Sequence, residues 1–581
     1  MKTLILRSGC ILLVLAAITP AAAASDMNAR FKAIYTREWN WRENQFADDE
    51  DGARGIQNRL PQVDPATQTA RLVYWQSVIQ QLAAIPVSAL TPENQIDYEV
   101  YKPQIEALIA DQKFRQYEMP ANSDSTFWTD LDYTARENFK TTADYGNWIA
   151  QMRDVPRYFG EEIDEMRAGE KRGFTAPRAT LEGRDASIAA VVHAKPEDTV
   201  FYVPFKQMPA SVPNQAQLRA DAIAVIRDQV QPAYARLLKY WTGEYVPNAR
   251  NTLAADDLPD GKAYYQSQIR EYTTLDLTPE QIHRIGLDEV ATLRAQMIDT
   301  MRKTGFDGDL PAFLHYLRTD PKFYAKTPQE LLDDAAWICK TFDGKAARYF
   351  GHLPRSRFAI EPVPADMAPF YTSGRGGPGV YLLNTYDLPH RPLYDLTALT
   401  LHESAPGHAF QIPLAAENKA LPEFRRHSYI SAYGEGWALY CEWLGDEMGM
   451  YTTPYDKFGM LSYQIWRAAR LVVDTGIHSQ GWTRVQAIQY MKDNTALPDH
   501  EIETEVDRYI SWPGQALSYY LGEMAIRAAR QKAQTVLAPK FNIRAFHDAV
   551  LKLGSVPLPV LTAQMDKFIA DGGKGPYPDE E

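Results

Sequence analysis

Two histidines and a glutamate in one short segment are the residues of this chain best suited to metal chemistry. The segment, in a chain with only eleven histidines, is Leu401-His402-Glu403-Ser404-Ala405-Pro406-Gly407-His408. In the zinc motif His-Glu-x-x-His, two histidines four positions apart on a helix reach one Zn²⁺. Here the two histidines are six positions apart. On a regular helix that is about 240° around the axis, so their side chains would face away from each other.

This spacing is compatible with two interpretations. Proline and glycine distort helices, and Pro406 and Gly407 lie between the histidines. A locally unwound helix would bring His408 to the face of His402, where both could bind a metal. On a regular helix, His408 is instead a separate surface or core histidine. The hypothesis that both histidines bind one metal predicts that the helix departs from regular geometry between Ser404 and His408.

A carboxylate for the same site could come from the segment Tyr433-Gly434-Glu435-Gly436-Trp437, which reads as the start of a helix. Glu435 is 27 residues past His408, enough for a loop and a returning helix. A catalytic zinc site with three protein ligands leaves its fourth position for water. Glu442 lies two turns further along the same face, too far for both glutamates to bind one metal. An isolated glutamate on a helix is otherwise simply solvated.

Two more groups share helix faces downstream. Arg470, Asp474 and His478 are four residues apart, and an aspartate commonly orients a neighbouring imidazole. His478 could therefore polarise a substrate carbonyl or bind the metal, or the three could form a structural ion-pair ladder. Gln515 and Tyr519 also share a face, and a tyrosine hydroxyl can donate to an oxyanion. The alternative for Tyr519 is a buried core tyrosine.

A glycine-rich loop covers residues 374–379. It lacks the Lys-Ser/Thr of a phosphate loop, so we do not interpret it as nucleotide binding. It precedes a predicted strand, Val380–Tyr386, whose exposed edge could pair with an extended peptide. Arg375 or Arg391 could meet a substrate carboxylate, or either could lie in solvent.

The rest of the chain is predicted to be mostly helical. Apolar residues recur at three- and four-residue spacing, the helix period, in segments 67–85, 94–117, 137–168, 215–242, 279–303 and 328–349. A threonine followed by proline marks helix starts at Thr91, Thr278 and Thr327. The prolines and glycines of 354–379 interrupt this pattern. We therefore predict a mostly α fold with a small β insertion before the metal-binding helix, in an N-terminal half of about 25–350 and a catalytic half of about 351–581.

The N-terminus predicts export. Lys2 and Arg7 precede an apolar run, and Ala21–Ala24 offer an Ala-x-Ala cleavage site, so residues 1–24 read as a signal peptide rather than an uncleaved anchor. No later segment has about 18 consecutive apolar residues, so no membrane span is expected after cleavage. The mature chain would keep Cys339 and Cys441, which could form one disulfide.

The composition and charge of the chain exclude some classes of function. Apolar residues make up 45% of the chain and charged residues 23%, which is ordinary for a globular protein. The 61 basic and 74 acidic residues give a formal charge of −13. Non-specific nucleic-acid binding needs a basic face, so no nucleic-acid partner is expected.

Four motifs together resemble one family. In order and spacing over roughly 360–525, the chain is similar to the bacterial domain-of-unknown-function family 885 in the segments Glu403–Gln411, Tyr433–Tyr440, Val473–His478 and Trp512–Tyr519. That family resembles gluzincin metallopeptidases with a long helical cleft, such as angiotensin-converting-enzyme-like and thermostable-carboxypeptidase-like proteins. The resemblance implies a zincin-like body with a deep cleft, His402, His408 and Glu435 as Zn²⁺ ligands, and Glu403 as general base.

These observations predict a secreted, zinc-dependent peptidase, periplasmic or extracellular, acting on a peptide or small amide. Tyr519, with His478 as a further candidate, would stabilise the oxyanion. Two rival functions stay open: a metal-dependent hydrolase of a non-peptide amide or ester, and a catalytically silent metal- or peptide-binding protein. The oligomeric state is not predicted.

Overall fold

The computed structural model describes residues 20–46, 55–123, 125–365 and 367–577. Helices make up most of these residues, so the mostly α prediction is confirmed. The predicted signal peptide lies outside the described residues except for its last positions, where the first helix begins. Among the described helices, none combines the length and the hydropathy that a membrane span requires.

The chain begins with three long helices: α1 (Pro20–Gln45), α2 (Pro65–Ala83) and α3 (Pro92–Phe114). The predicted start of α3 is confirmed. The Thr91 side chain accepts a hydrogen bond from the Asn94 backbone N–H, and Pro92 occupies the first turn. A proline is tolerated there because its missing N–H would have no partner inside the helix.

A second group of helices forms a lobe between residues 121 and 249. It contains α4 (Asp130–Ala135), α5 (Thr142–Arg172), α6 (Asp185–His193), α7 (Val203–Lys206), α8 (Gln215–Val225), α9 (Gln231–Tyr240) and α10 (Val246–Asn248). The predicted helix over 215–242 is interrupted by a π-helical turn at Ile226–Val230, and a second such turn follows at Trp241–Tyr245.

Four helices then lead to the sheet: α11 (Gly261–Thr273), α12 (Pro279–Lys303), α13 (Leu310–Thr319) and α14 (Pro328–Ala346). The predicted caps at Thr278 and Thr327 are both confirmed. Helix α12 has the predicted bounds, because its cap and its apolar period are both local signals.

The predicted β insertion is a three-stranded sheet within the described residues. Its strands are β1 (Ala359–Pro362), β2 (Gly374–Gly377) and β3 (Val380–Leu383), in the order β1-β3-β2. Strand β3 pairs parallel to β1 and antiparallel to β2, which leaves β2 at an edge. Strand β3 ends at Leu383, before the predicted end at Tyr386. The Asn384 side chain turns back there and donates to three carbonyl oxygens of residues 368–372.

The C-terminal part is again helical. It contains α15 (Leu393–Glu403), α16 (His408–Glu417), α17 (Glu423–Arg426), α18 (Ser431–Glu447), α19 (Pro454–Gln480), α20 (Arg484–Asn494), α21 (Asp499–Ser511), α22 (Ser518–Leu537), α23 (Ile543–Lys552) and α24 (Leu558–Ala570). Helix α19 is buried along most of its length and packs against α12 and α15.

Three hydrophobic cores hold these elements together. One joins α1–α3 to α16, α18 and α22–α24, so it combines the two ends of the chain. A second lies within the 121–249 lobe. The third joins α11–α15, the sheet and α19–α21. Between them lies a cavity of about 2620 Å³, lined by parts of α3, α11, β2, α15, α16, α18, α19, α21 and α22.

Candidate metal centre

The two histidines come together because the helix that carries the first of them stops. Helix α15 ends at Glu403, Ser404–Gly407 connect it to α16, and His408 is the first residue of α16. The imidazole centroids lie 4.9 Å apart with the ring planes at 84°. The predicted departure from regular geometry between Ser404 and His408 is therefore confirmed.

Gly407 allows this connection to close tightly. Its N–H donates to the Leu401 carbonyl oxygen at 3.0 Å. A Cβ at position 407 would lie 1.8 Å from the His402 carbonyl oxygen, so no larger residue fits without moving the backbone. The indole of Trp437 donates to the Pro406 carbonyl oxygen at 2.8 Å and ties the connection to α18.

We expect Gly407→Ala to lose stability and zinc binding together. The added methyl must displace the backbone that carries His402, and such overpacking typically costs about 1–3 kcal/mol in the free energy of unfolding. Thermal unfolding and zinc content per chain would measure both effects. Gly344→Ala is the control, because a Cβ there meets no atom within 4 Å. Full zinc occupancy in Gly407→Ala would show that the close approach is not needed for the site.

Glu435 completes a three-residue cluster. It lies in the first turns of α18, and its Oε2 is 3.4 Å from Nε2 of His402 and also 3.4 Å from Nε2 of His408. Ligand atoms of His402, Glu403 and His408 also lie within 4.8 Å of one another. The structure thus brings together the three predicted metal ligands and the predicted general base.

The spacing and bonding of these atoms fit a metal ion. Zinc bonds of about 2.0–2.2 Å in tetrahedral geometry place neighbouring ligand atoms about 3.3–3.6 Å apart, which includes the observed separation. Glu435 Oε2 is buried and forms no hydrogen bond within the described part of the chain. A buried carboxylate oxygen without a donor is costly. A cation between the two imidazoles would satisfy it.

The carboxylates and imidazoles of the cluster stabilise each other's charged forms. Burial alone would lower the pKa of His402, but the carboxylates of Glu435 and Glu442 raise it to about 10. Burial would raise the pKa of Glu435, but the two histidines hold it well below its ordinary value. The site therefore stabilises a carboxylate beside a cationic partner.

Glu442 has a role that the sequence did not reveal. It is fully buried, and its Oε1 lies 2.7 Å from Nδ1 of His402. Metal-binding histidines usually donate their second ring nitrogen to such a carboxylate, which fixes the tautomer and the ring orientation. The position of Glu442 two turns after Glu435 on the same face was the available signal. By itself, that position indicates only that Glu442 is too far away to bind the metal directly.

Glu442→Gln is expected to lower zinc affinity by about 10–100-fold, the usual cost of losing such a partner. Competition with a chelator of known affinity would measure it. Asp446→Asn on the same helix is the matched control, because Asp446 is about half exposed and pairs with Lys457. Equal zinc affinities for Glu442→Gln and wild type would mean that the Glu442 carboxylate does not support His402.

Glu403 and Tyr519 face the same cavity as the histidines. Oε2 of Glu403 accepts a hydrogen bond of 2.7 Å from the Gly376 N–H of the edge strand β2. A Cβ at Gly376 would lie 1.6 Å from the Glu403 carbonyl oxygen, so glycine is required for this approach. The Tyr519 ring stacks on the His402 ring, with centroids 6.3 Å apart and an interplanar angle of 17°.

The expected catalytic role of His478 is not supported by its contacts. Its Nδ1 accepts from the Ala255 N–H at 3.1 Å, and its Nε2 is 2.8 Å from the Tyr509 carbonyl oxygen. Burial lowers its pKa to about 3, so it stays neutral. Asp474 does not orient it, but accepts from the Tyr265 hydroxyl and the Gly514 N–H. We therefore assign His478 a structural role in the packing of α19.

The two arginines and the two cysteines singled out in the sequence lie as follows. Arg375 and Arg391 both line the cavity, where Arg391 donates to the Ser373 hydroxyl at 3.2 Å. Cys339 and Cys441 are free thiols.

Tyr429 also belongs to the site, although the sequence analysis does not predict it. Its hydroxyl donates to Glu435 Oε1 at 3.0 Å and so holds the second oxygen of that carboxylate.

Comparison with known proteins gives a family but no activity. A family profile described as "Bacterial protein of unknown function (DUF885)" matches residues 49–565. No curated protein matches the chain.

Two solved structures share the fold. One is the crystal structure of "the putative lipoprotein from Colwellia psychrerythraea", 26% identical, with a TM-score of 0.86, covering 96% of this chain and 100% of its own. The other is "a putative lipoprotein of unknown function from Shewanella oneidensis", 17% identical, with a TM-score of 0.63, covering 94% of this chain and 100% of its own.

Proposed function

Because the chain belongs to the bacterial family DUF885, whose description assigns no activity, we propose its function from the site: a zinc-dependent peptidase that hydrolyses peptide bonds with a glutamate as general base. One observation carries the proposal. The buried, unbonded Oε2 of Glu435 lies 3.4 Å from Nε2 of both histidines, the separation expected of neighbouring ligands on one zinc ion. The resemblance of that family to gluzincin metallopeptidases implies the same ligand set.

The size of the cavity favours a peptide over a small amide. Sites for drug-sized ligands occupy about 300–1,000 Å³, whereas this cavity has about 2620 Å³. Its walls come from α3 and α11 as well as from the helices that carry the proposed site residues, α15, α16, α18 and α22. A substrate of several residues would fill that space, and one peptide bond would lie beside Glu403.

Each residue then has a distinct task. His402, His408 and Glu435 would hold the zinc, which supplies Lewis acidity and lowers the pKa of water. Glu403 would take a proton from the attacking water and pass it to the leaving amine. Its hydrogen bond from Gly376 holds the carboxylate in place for both transfers. Tyr519 would donate from its hydroxyl to the substrate carbonyl oxygen as negative charge develops there.

We also propose that the protein is exported, to the periplasm or beyond the cell. The N-terminal sequence has the pattern of a signal peptide. The structural relative from Colwellia psychrerythraea is described as a "putative lipoprotein", and lipoproteins are exported proteins.

The test of the function combines metal analysis with a substrate panel. Purified mature protein is expected to carry close to one zinc per chain and to cleave members of a mixed peptide library, detected by mass spectrometry. Cleavage of esters or non-peptide amides alone would favour a different hydrolase. Bound zinc with no turnover on any panel would favour a silent binding protein.

Tyr519→Phe is expected to lower kcat by about 10²-fold, the lower end for loss of one oxyanion donor. KM should change little, because the hydroxyl acts mainly in the transition state. Steady-state kinetics on the best library peptide would measure both constants. Tyr386→Phe is a matched control, since Tyr386 also lines the cavity but is half exposed near its surface. A normal kcat for Tyr519→Phe would require a different oxyanion donor.

A further inference from the structure

Charged and polar groups surround the Tyr519 side chain, among them the guanidinium of Arg467 at 6.0 Å from the centre of its ring. The guanidinium of Arg470 lies 4.4 Å from the centre of its ring, and the His402 ring stacks on it at 6.3 Å. At the hydroxyl end, Nη2 of Arg508 lies 3.4 Å from the Tyr519 oxygen. Arg508 lines the cavity, and 18% of its side chain is exposed.

The direction of the bond between Arg508 and Tyr519 follows from their chemistry. A guanidinium has only donors, whereas a tyrosine hydroxyl can donate once and accept. The contact must therefore run from Arg508 Nη2 to the hydroxyl oxygen. The hydroxyl proton of Tyr519 then points away from Arg508 and is available to a group in the cavity. A charged donor also polarises the O–H bond and strengthens the hydrogen bond that it gives.

The guanidinium of Arg508 is itself fixed at several points. Its Nη2 also donates to the Gln515 Oε1 at 3.1 Å, and its Nη1 is 3.6 Å from Glu505 Oε1. Glu505 in turn accepts from Arg470 at 2.7 Å. A planar guanidinium can serve several partners at once, which a lysine ammonium on a flexible stem does less well.

We propose that Arg508 is a positioning residue of the reaction, which directs the Tyr519 hydroxyl proton toward the substrate carbonyl oxygen. This inference rests on the proposed peptidase function. It gives the polar residues around Arg508 a reason to lie on the cavity wall. Arg508, in α21, is then the second residue that contributes to oxyanion stabilisation. His478, in α19, cannot take this role because both its ring nitrogens bond to the backbone.

The test is Arg508→Gln, read in two ways. We expect kcat to fall by at least about tenfold with KM within about twofold, because the effect is on the transition state. We also expect the Kd of a phosphinic peptide, whose tetrahedral anion resembles that state, to rise by about tenfold or more. A peptide bound to Glu403→Gln as an uncleaved ligand should bind equally well with and without Arg508→Gln. Arg508→Lys keeps a cationic donor and should lose less than Arg508→Gln.

A double mutant separates positioning from general damage. In the Tyr519→Phe background there is no hydroxyl to direct, so adding Arg508→Gln should change kcat and the phosphinic peptide Kd by less than about twofold. The fold should survive, because the bond between Arg470 and Glu505 remains. Arg270→Gln is the control: it removes a positive charge from the same cavity, where Arg270 pairs with Asp276.

The outcomes distinguish the two proposals. If wild-type protein binds neither zinc nor the phosphinic peptide, the peptidase proposal fails and the inference fails with it. If wild type binds both and Arg508→Gln matches it in kcat and Kd, the peptidase stands and the role of Arg508 is wrong. The role is also wrong if Arg508→Gln costs as much in Tyr519→Phe as in wild type.

Discussion

His402→Ala and His408→Ala are each expected to remove zinc from the protein and to abolish turnover. Each substitution deletes one of three proposed protein ligands and leaves the Glu435 carboxylate with a single imidazole beside it. Loss of a Lewis acid that contributes several kcal/mol should reduce turnover by on the order of 10³-fold or more. Zinc per chain, measured on protein purified with and without added metal, is the primary readout.

The control is His500→Ala. His500 lines the same cavity but is exposed, so its replacement should leave zinc content near one per chain. His408→Ala is the more informative of the two variants, because its place in the site depends on the interruption between α15 and α16. Full zinc occupancy in His408→Ala would mean that His408 is not a metal ligand.

The sequence predicted those parts of the fold that depend on neighbouring residues. The caps at Thr278 and Thr327 and the helices they start were predicted because a cap, its proline and the apolar period all lie within a few turns. The break between the histidines was predicted for the same reason. Pro406 and Gly407 disturb a helix wherever it packs.

The contacts that the sequence does not predict join residues far apart along the chain. His478 looked available because Asp474 lies one turn before it. Its actual partners are the Ala255 N–H, 223 positions away, and the Tyr509 carbonyl oxygen. Glu442 was placed correctly on the face of Glu435. Its bond to His402 depends on how α18 crosses α15, which no spacing within either helix specifies.

Glu403→Gln separates catalysis from metal binding more sharply than any ligand substitution. The amide keeps the size of the side chain, and its oxygen can still accept from the Gly376 N–H. What it loses is the ability to take a proton. Zinc content and thermal unfolding should therefore match wild type, while turnover falls by at least ~10²-fold, the lower end for lost general acid–base catalysis.

The control for charge is Glu106→Gln, which removes a carboxylate that lines the same cavity and pairs with Lys102. It should leave turnover within about twofold of wild type, since exposed ion pairs of this kind contribute little. If Glu403→Gln remains fully active with zinc bound, the proton acceptor is another group. The hydrogen bond from Gly376 would then serve only to hold the β2 edge against α15.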